Sequence, residues 1–464
     1  MQKNVRPFGI RDKIGYAAGD VANNFTFNLV SSFLMIFYTN VWGIDPKLVG
    51  GLFFISRIID AFTDVGMGTI VDKFPGNKDG KFRPFIKWGA IPVAIAGFLL
   101  FQSGLKDLPM GTKIIIMYAT YILWGSLCYT FINIPYGSMA SAITPEADQR
   151  TELSTFRTLG ATVAGLVIGF VTPYLIYQKV AGQPDVLLEG RFPLVAGIYG
   201  ILAVVSYFIC YSLCTERVDI ERESGGEKEN VLQGLGNVIT KRSLLSIIVI
   251  SICLLLAMLL VGSMNIYVYS TYFQNTTGMA LAGLCGTVPM LFTAPMAMKL
   301  GQNIGKKEAT TIGLLGSAAT YFVLFILKLE NMYMFLAGTV IAYIFLGIFN
   351  TLTWAMITDV IDDLEIKNGI RDDGKVYAIY SFARKLGQAF AGGLGGFAVA
   401  AVGYVAGAAT QTHEVAVGIY NVATLIPAVA LGLGGLVVLL IYPLDRKTVE
   451  KNNKYLENKR LELE

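Results

Sequence analysis

The chain has 464 residues, of which 54% are hydrophobic and only 15% are charged. Its mean hydropathy of +0.56 lies outside the range of soluble domains and indicates a polytopic membrane protein. The formal net charge of +4 does not predict a nucleic-acid partner, because basic and aromatic residues are not interleaved on any soluble segment. The sequence has no nucleophile elbow, P-loop or metal motif, so we expect neither an enzyme nor a tightly bound cofactor.

Twelve apolar runs reach the length of about 20 residues that a helix needs to cross a bilayer. The predicted spans are 16–42, 46–71, 85–104, 112–138, 155–180, 193–214, 243–274, 279–300, 308–328, 331–360, 376–406 and 415–443. No cleavable signal peptide is visible at the N-terminus, so the first span is expected to stay in the protein.

Basic residues are distributed unequally between the two sets of loops. Lys and Arg are frequent in the N-terminal segment, after the second and eighth spans, in the central loop and after the twelfth span. They are rare in the intervening loops. The positive-inside rule therefore predicts cytoplasmic termini and a multi-pass protein of the cell membrane, with the lipid bilayer as a partner.

The longest polar stretch divides the twelve spans into six and six. We predict an N-terminal six-helix bundle over 1–215, a central cytoplasmic linker over 216–242, a C-terminal six-helix bundle over 243–443 and a cytoplasmic tail over 444–464.

The fifth and eleventh spans look like copies of each other. Ser154, Arg157, Gly160 and Gly165 recur in register as Ser381, Arg384, Gly387 and Gly392. Glycine spacing alone would indicate helix packing, whereas an intramembrane arginine repeated in register indicates a duplication. Duplicated six-helix halves predict an all-α membrane protein of the major facilitator architecture, in which two bundles rock around a midplane site.

Three charged residues lie inside the apolar stretch from Leu48 to Val71 of the second span. Arg57, Asp60 and Asp64 are spaced by three and four residues, so a helix places them on one face. A charge near the bilayer centre costs roughly 2.5 to 3.5 kcal/mol, and such groups usually mark ion or substrate pathways. We therefore interpret this face as functional, with Arg57 as a gating residue.

Two further charged clusters lie at predicted cytoplasmic helix ends. The loop after the second span contains Gly68-x3-Asp72-Lys73, which resembles the major facilitator loop motif and predicts ion pairs in one conformer. The inner ends of spans 10 and 11 indicate a gating network, with a solvated loop as the alternative. The charged residues there are Asp359, Asp362, Glu365, Arg371, Asp372, Asp373 and Lys375. Asp20 of the first span is a further candidate for this gate.

Seven strings along the chain resemble the glycoside-pentoside-hexuronide cation symporters. They are GYAAGDVANNF (15–25), FYTNVWG (37–43), ISRIIDAFTDVGMG (55–68), DGKFRPF (79–85), YTFINIPYGS (129–138), TDVIDD (358–363) and YSFARKLGQA (380–389). The resemblance extends from the first to the eleventh span. It implies the major facilitator fold and cation-coupled symport of a glycoside by alternating access.

The resemblance also implies a cation site. In melibiose carriers of this family two aspartates of helix 2 and a threonine of helix 4 form it, and Asp60, Asp64 and Thr130 stand at those positions. Thr63 stands where those carriers have asparagine. Carboxylate and hydroxyl oxygens suit a hard cation such as Na⁺, but the carboxylate pair could equally share one proton. The coupling ion, Na⁺ or H⁺, stays open.

The sugar site implied by the resemblance is only partly preserved. Arg157 and Lys385 match the family's sugar-contacting cations, and Ser381 stands at a threonine position. Buried cations need partners, and we expect the carboxylates of helix 2 to supply them. That pairing would place the cation and sugar sites side by side.

Other positions of that site depart from the melibiose carriers. Asn24 and Asn133 stand where those carriers have aspartate, and Asn23 replaces a lysine. Their two pocket tryptophans align with Gly137 and Asn350. These changes argue against a melibiose-type galactoside and, with Arg157 and Lys385 retained, widen the expected substrates toward acidic sugars.

Binding a sugar requires convergent polar side chains and an aromatic face. The candidates within the spans are Asn24, Asn133, Asn350, Tyr129, Tyr380 and Trp354. For each residue alone, hydrogen bonding between helices is an equally good explanation.

We therefore predict a monomeric symporter of a glycoside, with a pentoside or hexuronide favoured over melibiose. Its small-molecule partners are the glycoside and the coupling cation. A lipid or lysolipid transporter on the same scaffold and a non-transporting sugar sensor are the alternatives.

Overall fold

A computed structural model describes residues 6–178, 185–218, 241–368, 373–408 and 410–461. Within helices, a few side chains are not described. Eight predicted site residues therefore lie outside the described part. The side chains of six are not described, namely Asp72, Trp354, Asp373, Lys375, Ser381 and Lys385, and the other two are Arg371 and Asp372.

The described chain is almost entirely helical. The helices are α1 (Ile10–Ile36), α2 (Pro46–Lys73), α3 (Arg83–Leu99), α4 (Met110–Ile122), α5 (Thr130–Ile143), α6 (Ala147–Ile176), α7 (Arg191–Leu213), α8 (Arg242–Tyr267), α9 (Thr277–Ile304), α10 (Lys306–Leu327), α11 (Met332–Asn368), α12 (Asp373–Ala401), α13 (His413–Leu440) and α14 (Arg446–Leu461). Wider π-helical turns extend α1 over Phe37–Val41 and α8 over Val268–Tyr272, and a third joins α4 to α5 over Leu123–Tyr129. Strands β1 (Tyr177–Gln178) and β2 (Val186–Leu187) pair antiparallel.

Eight helical segments of the described residues are long and apolar enough to cross a membrane. They are the continuous α4–α5 helix, α6, α7, α8, α9, α10, α11 and α13. The helices α1 and α2 also have membrane length but carry internal charges, and α3 has 17 residues. The helical content agrees with an all-α membrane protein, whereas the twelve-span topology stays a prediction.

Several helices extend beyond the predicted apolar spans. The helix α1 begins at Ile10, ahead of the span predicted from 16, and α11 continues to Asn368, past the predicted end at 360. The added turns are polar, and hydropathy marks only the apolar part of a helix.

The start of α2 is well specified by the sequence. Gly43 adopts a positive φ of 67°, which permits the chain to turn after the π-helical segment. Asp45 then caps the helix by accepting a hydrogen bond from the Lys47 N–H at 2.7 Å, and Pro46 occupies the first turn. The helix that carries the charged face therefore has a fixed origin.

The described residues divide into two compact units. The first comprises the described residues of Met1–Ser224, Tyr269–Gly283 and Gly395–Val415, and the second those of Gly225–Val268, Leu284–Leu394 and Ala416–Glu464. In the first unit α1 packs most extensively against α6 and α7, and α3 packs against α7. In the second unit α10 packs most extensively against α11.

Candidate functional site

The charged face of α2 contains an ion pair. Arg57 Nη1 lies 3.4 Å from Asp60 Oδ2, one helical turn away. The Arg57 guanidinium also lies 5.3 Å from the centre of the Phe27 ring on α1, in a cation–π contact. Since arginine stays protonated in proteins, it is a permanent positive neighbour of Asp60.

Two hydroxyl groups of the α4–α5 helix donate hydrogen bonds to the aspartates of α2. Ser126 Oγ lies 2.6 Å from Asp60 Oδ1, and Thr130 Oγ1 lies 2.8 Å from Asp64 Oδ1. Both hydroxyl residues are buried. Asp60 and Asp64 are four residues apart on α2, and their partners Ser126 and Thr130 are four residues apart on the α4–α5 helix. The residue numbers rise together, so the two helices run in the same direction here. The Thr63 hydroxyl instead donates to the Asp60 backbone carbonyl at 3.2 Å.

The hydroxyl pair is carried by the π-helical turn Leu123–Tyr129 and the first residue of α5. A π turn displaces backbone hydrogen bonds, and the Thr130 hydroxyl lies 3.3 Å from the Gly125 carbonyl oxygen. Such turns recur at functional sites. Sequence reasoning missed Ser126, because serine is common in membrane helices and hydropathy does not reveal a π turn.

Arg157 of α6 pairs with a carboxylate of α1. Its Nε donates to Asp20 Oδ1 at 3.0 Å, and the Asn24 amide donates to Asp20 Oδ2 at 3.0 Å. The Asp20 side chain is 8% exposed and that of Arg157 is 40% exposed. The expectation that a carboxylate of helix 2 would pair with Arg157 is therefore wrong. The partner lies on α1, because α1 packs directly against α6.

A glycine and an aromatic pair position this ion pair. A side chain at Gly160 would come within 2.5 Å of the Ala17 carbonyl oxygen, so only glycine permits α6 to approach α1 so closely. The Arg157 guanidinium lies 5.4 Å from the Tyr136 ring centre. Tyr136 stacks on Tyr16 at 4.8 Å and donates to its carbonyl oxygen at 2.6 Å.

The other polar candidates of the first unit differ in their surroundings. Asn23 is buried and accepts a hydrogen bond from Tyr207 on α7 at 2.7 Å, which favours a packing role over the predicted sugar contact. Tyr129 stacks on Phe27 with ring centres 5.7 Å apart. Asn133 is half-buried, and its amide makes no hydrogen bond with the described residues.

In the second unit Tyr380 is buried and its hydroxyl has protein partners. Ser251 donates to that hydroxyl at 2.9 Å, and Arg384 donates to it at 3.4 Å. The Arg384 guanidinium also lies 5.7 Å from the Tyr380 ring centre. These contacts favour a packing role for Tyr380. Asn350 of α11 is exposed within this unit.

The acidic end of α11 forms ion pairs that the sequence did not specify. Lys306 of α10 contacts both oxygens of Asp359, at 2.6 and 2.8 Å, and Lys367 lies 2.8 Å from Asp363. The predicted member Asp362 is half-buried. Two helices are thus joined through Lys306, a residue absent from the predicted network.

The loop after α2 shows few of its predicted ion pairs. Lys73 is exposed and forms no salt bridge with any residue that the structure describes, and Asp79 lies 3.8 Å from Lys87. The backbone N–H groups of Lys81, Phe82 and Arg83 instead donate to the carboxylate of Glu216, at 2.7 to 2.9 Å. This carboxylate therefore satisfies the open N-terminus of α3.

Sequence reasoning also missed a buried charge cluster near the start of α1. Asp12 is fully buried and accepts from Arg6 at 2.8 Å and from Arg217 at 2.9 Å. The Thr215 and Gly9 N–H groups also donate to it, at 3.1 and 3.2 Å. The cluster joins the N-terminal segment to the chain after α7, and only the tertiary fold brings its members together.

The chain is similar in sequence to known transport proteins. The family model described as MFS/sugar transport protein matches residues 15–446. A glucuronide carrier protein homolog from Escherichia coli (strain K12) is 31% identical over 455 residues, which cover 97% of this chain and 96% of that protein. An isoprimeverose transporter from Lactiplantibacillus pentosus is 31% identical over 456 residues, which cover 96% of this chain and 91% of that protein.

A solved structure also resembles the fold. The crystal structure of the nucleoside transporter NupG superposes with a TM-score of 0.66, covering 94% of this chain and all of that one. Its sequence is 12% identical, so the likeness concerns the fold alone.

Proposed function

The chain belongs to the MFS/sugar transport family, and from this premise we propose that it couples the movement of a glycoside to that of a cation. The predicted resemblance to the glycoside-pentoside-hexuronide cation symporters is confirmed at the level of the family. The protein is accordingly a multi-pass membrane transporter for sugars with the major facilitator fold, and not an enzyme. We further propose twelve spans, cytoplasmic termini, residence in the cell membrane and a monomeric state.

The observation that carries the coupling proposal is the pair of hydrogen bonds between Asp60 and Ser126 and between Asp64 and Thr130. Two carboxylates and two hydroxyls offer hard oxygen ligands of the kind that Na⁺ prefers. Among the charged groups on this face of α2, Arg57 balances one of the two carboxylates. A monovalent cation, Na⁺ or H⁺, bound beside the two carboxylates would offset negative charge there.

Coupling follows from that charge balance. Carboxylates inside the membrane are costly to move through a low-dielectric barrier. A bound cation cancels the charge and permits the conformational change. One charge moving down 100 mV supplies about 2.3 kcal/mol, enough for roughly fifty-fold accumulation at about 1.4 kcal/mol per tenfold.

For the substrate we propose a pentoside or a hexuronide. The relatives named a glucuronide carrier homolog and an isoprimeverose transporter support this class. Arg157 is partly exposed beside Asn24, and Asn133 is half-buried. The guanidinium can donate to sugar hydroxyls, and an asparagine amide can both donate to them and accept from them. We propose that Lys385, Ser381, Asn350 and Trp354 also contribute to substrate binding.

Counterflow in proteoliposomes tests this function. Vesicles preloaded with unlabelled glycoside receive the same labelled glycoside, and the panel comprises a xyloside, a glucuronide, melibiose and lactose, each with an imposed Na⁺ or proton gradient. We expect counterflow of the xyloside or glucuronide that one of the two cation gradients accelerates.

Three results would contradict the proposal. Robust melibiose uptake without a response to the xyloside or the glucuronide would overturn the substrate class. Sugar binding without counterflow would identify a sensor, and uptake of a lysolipid with no sugar counterflow would identify a lipid transporter.

A further inference from the structure

Asp20 is a nearly buried carboxylate that the cation site does not use. Its side chain is 8% exposed and lies one helical turn before Asn24 on α1. One oxygen accepts from Arg157 and the other accepts from the Asn24 amide, each at 3.0 Å. Asp20 therefore contacts two of the residues proposed to bind sugar.

The contact with Asp20 engages only one part of the Arg157 guanidinium. The Nε of Arg157 donates to Asp20, and within the described residues its two terminal nitrogens make no hydrogen bond. The Arg157 side chain is 40% exposed and rests over the Tyr136 ring. Asp20 thus orients the guanidinium through its Nε and leaves the terminal N–H groups available to a ligand.

The contact between Asp20 and Arg157 also changes the net charge next to a ligand bound at Arg157. An unpaired arginine attracts a carboxylate strongly, through charge-assisted bidentate hydrogen bonds. With Asp20 at 3.0 Å, the pair is neutral overall, and a carboxylate placed on Arg157 also meets the negative charge of Asp20 at short range. A sugar hydroxyl accepts the same N–H groups without that repulsion.

We propose that Asp20 is a specificity-determining residue that cancels the charge of Arg157 and makes the site prefer uncharged glycosides to uronides. The inference rests on the proposed function and narrows its substrate class. It also revises the expectation from the sequence that Arg157 widens the substrates toward acidic sugars.

The test uses ligands that differ only at C5 of the sugar ring. The 4-nitrophenyl xyloside, glucoside and glucuronide carry H, CH₂OH and COO⁻ there, and both anomers of each are included. Isothermal titration calorimetry on the purified full-length protein, with saturating Na⁺ and again at low pH, gives the ratio of glucuronide to neutral-glycoside affinity. We compare the wild type with D20N, D20E and D79N, in which the loop carboxylate of Asp79 is neutralised as a matched control.

We expect the wild type to bind a neutral glycoside more tightly than the glucuronide. D20N should move the affinity ratio toward the glucuronide by about tenfold or more, the order expected for removing a nearby like charge. D20E should restore the wild-type ratio, because it keeps the charge, and D79N should leave the ratio unchanged.

Results that contradict the inference can be distinguished from a result that contradicts the proposed function. A wild type that prefers the glucuronide would overturn the inference without any variant, even if D20N did not fold. If D20N bound glycosides with the wild-type ratio of glucuronide to neutral-glycoside affinity, the inference would also be overturned, while the proposed function would stay intact. A wild type that binds none of the ligands would overturn the proposed function itself.

Discussion

The Thr130 hydroxyl donates a hydrogen bond of 2.8 Å to Asp64 Oδ1, which joins α5 to α2 across 66 residues of sequence. One turn away, Ser126 makes the equivalent bond to Asp60. These two bonds tie the carboxylates of the proposed cation site on α2 to hydroxyl groups of the adjacent helix. The site can therefore be tested from either helix.

Replacing Asp64 by cysteine should abolish cation-driven sugar accumulation while sugar binding survives. The substitution removes a negative charge from the proposed cation site but leaves Arg157 and its partner Asp20 in place. Uptake in energised vesicles and calorimetric sugar binding measure the two properties separately. Thr69→Ala is the matched control, because Thr69 is an exposed residue of α2 whose hydroxyl bonds only its own helix. Full active accumulation by Asp64→Cys would contradict the assignment.

Replacing Ser126 by alanine should weaken cation binding by about twofold to twelvefold, which corresponds to a lost hydrogen bond of about 0.5–1.5 kcal/mol. The measurement is the cation concentration that gives half-maximal stimulation of sugar binding. Ser141→Ala serves as control, since the Ser141 hydroxyl is on the same helix and bonds only the Ser138 carbonyl. An unchanged half-maximal concentration in Ser126→Ala would remove Ser126 from the cation site.

Of the two hydroxyl partners, Thr130 could be predicted from the sequence and Ser126 could not. Helical spacing was enough to place Arg57, Asp60 and Asp64 on one face, because the period of an α-helix fixes it. Family resemblance supplied Thr130. No sequence pattern indicates Ser126, because its position depends on a π turn and on the packing of two helices.

The partner of Arg157 was missed for a related reason. Pairing between helices depends on which helices pack together, and local spacing does not encode this. The available signal was Gly160, which stands one turn after Arg157 and permits close approach to α1. The sequence predicts Asp20 only as a member of the gate, whereas the fold places it against Arg157.

Replacing Arg157 by alanine should weaken sugar binding by about 1 kcal/mol or more, on the order of a charge-assisted hydrogen bond. We expect a similar loss for Lys385→Ala. Titration calorimetry with the best ligand of the panel gives both values. Arg157→Lys separates charge from geometry, because lysine keeps the charge but lacks the planar fork. Unchanged affinity in both alanine variants would refute a direct role for either cation.

Replacing Arg217 by alanine should destabilise the protein without altering its substrate preference. The substitution leaves the fully buried Asp12 with one arginine partner, and breaking a buried ion pair costs about 3–5 kcal/mol. We expect the midpoint of thermal unfolding in detergent to fall by on the order of 5 °C or more.

The control for Arg217→Ala is Lys106→Ala. Lys106 and Glu189 form an exposed ion pair at 2.6 Å, and the hydrogen bond from Lys106 to this carboxylate raises the pKa of the lysine. Exposed pairs of this kind contribute little to stability, so its unfolding midpoint should match the wild type. If Arg217→Ala unfolded at the wild-type temperature, or changed the ratio of glycoside affinities at temperatures where it is folded, the cluster around Asp12 would not have a purely stabilising role.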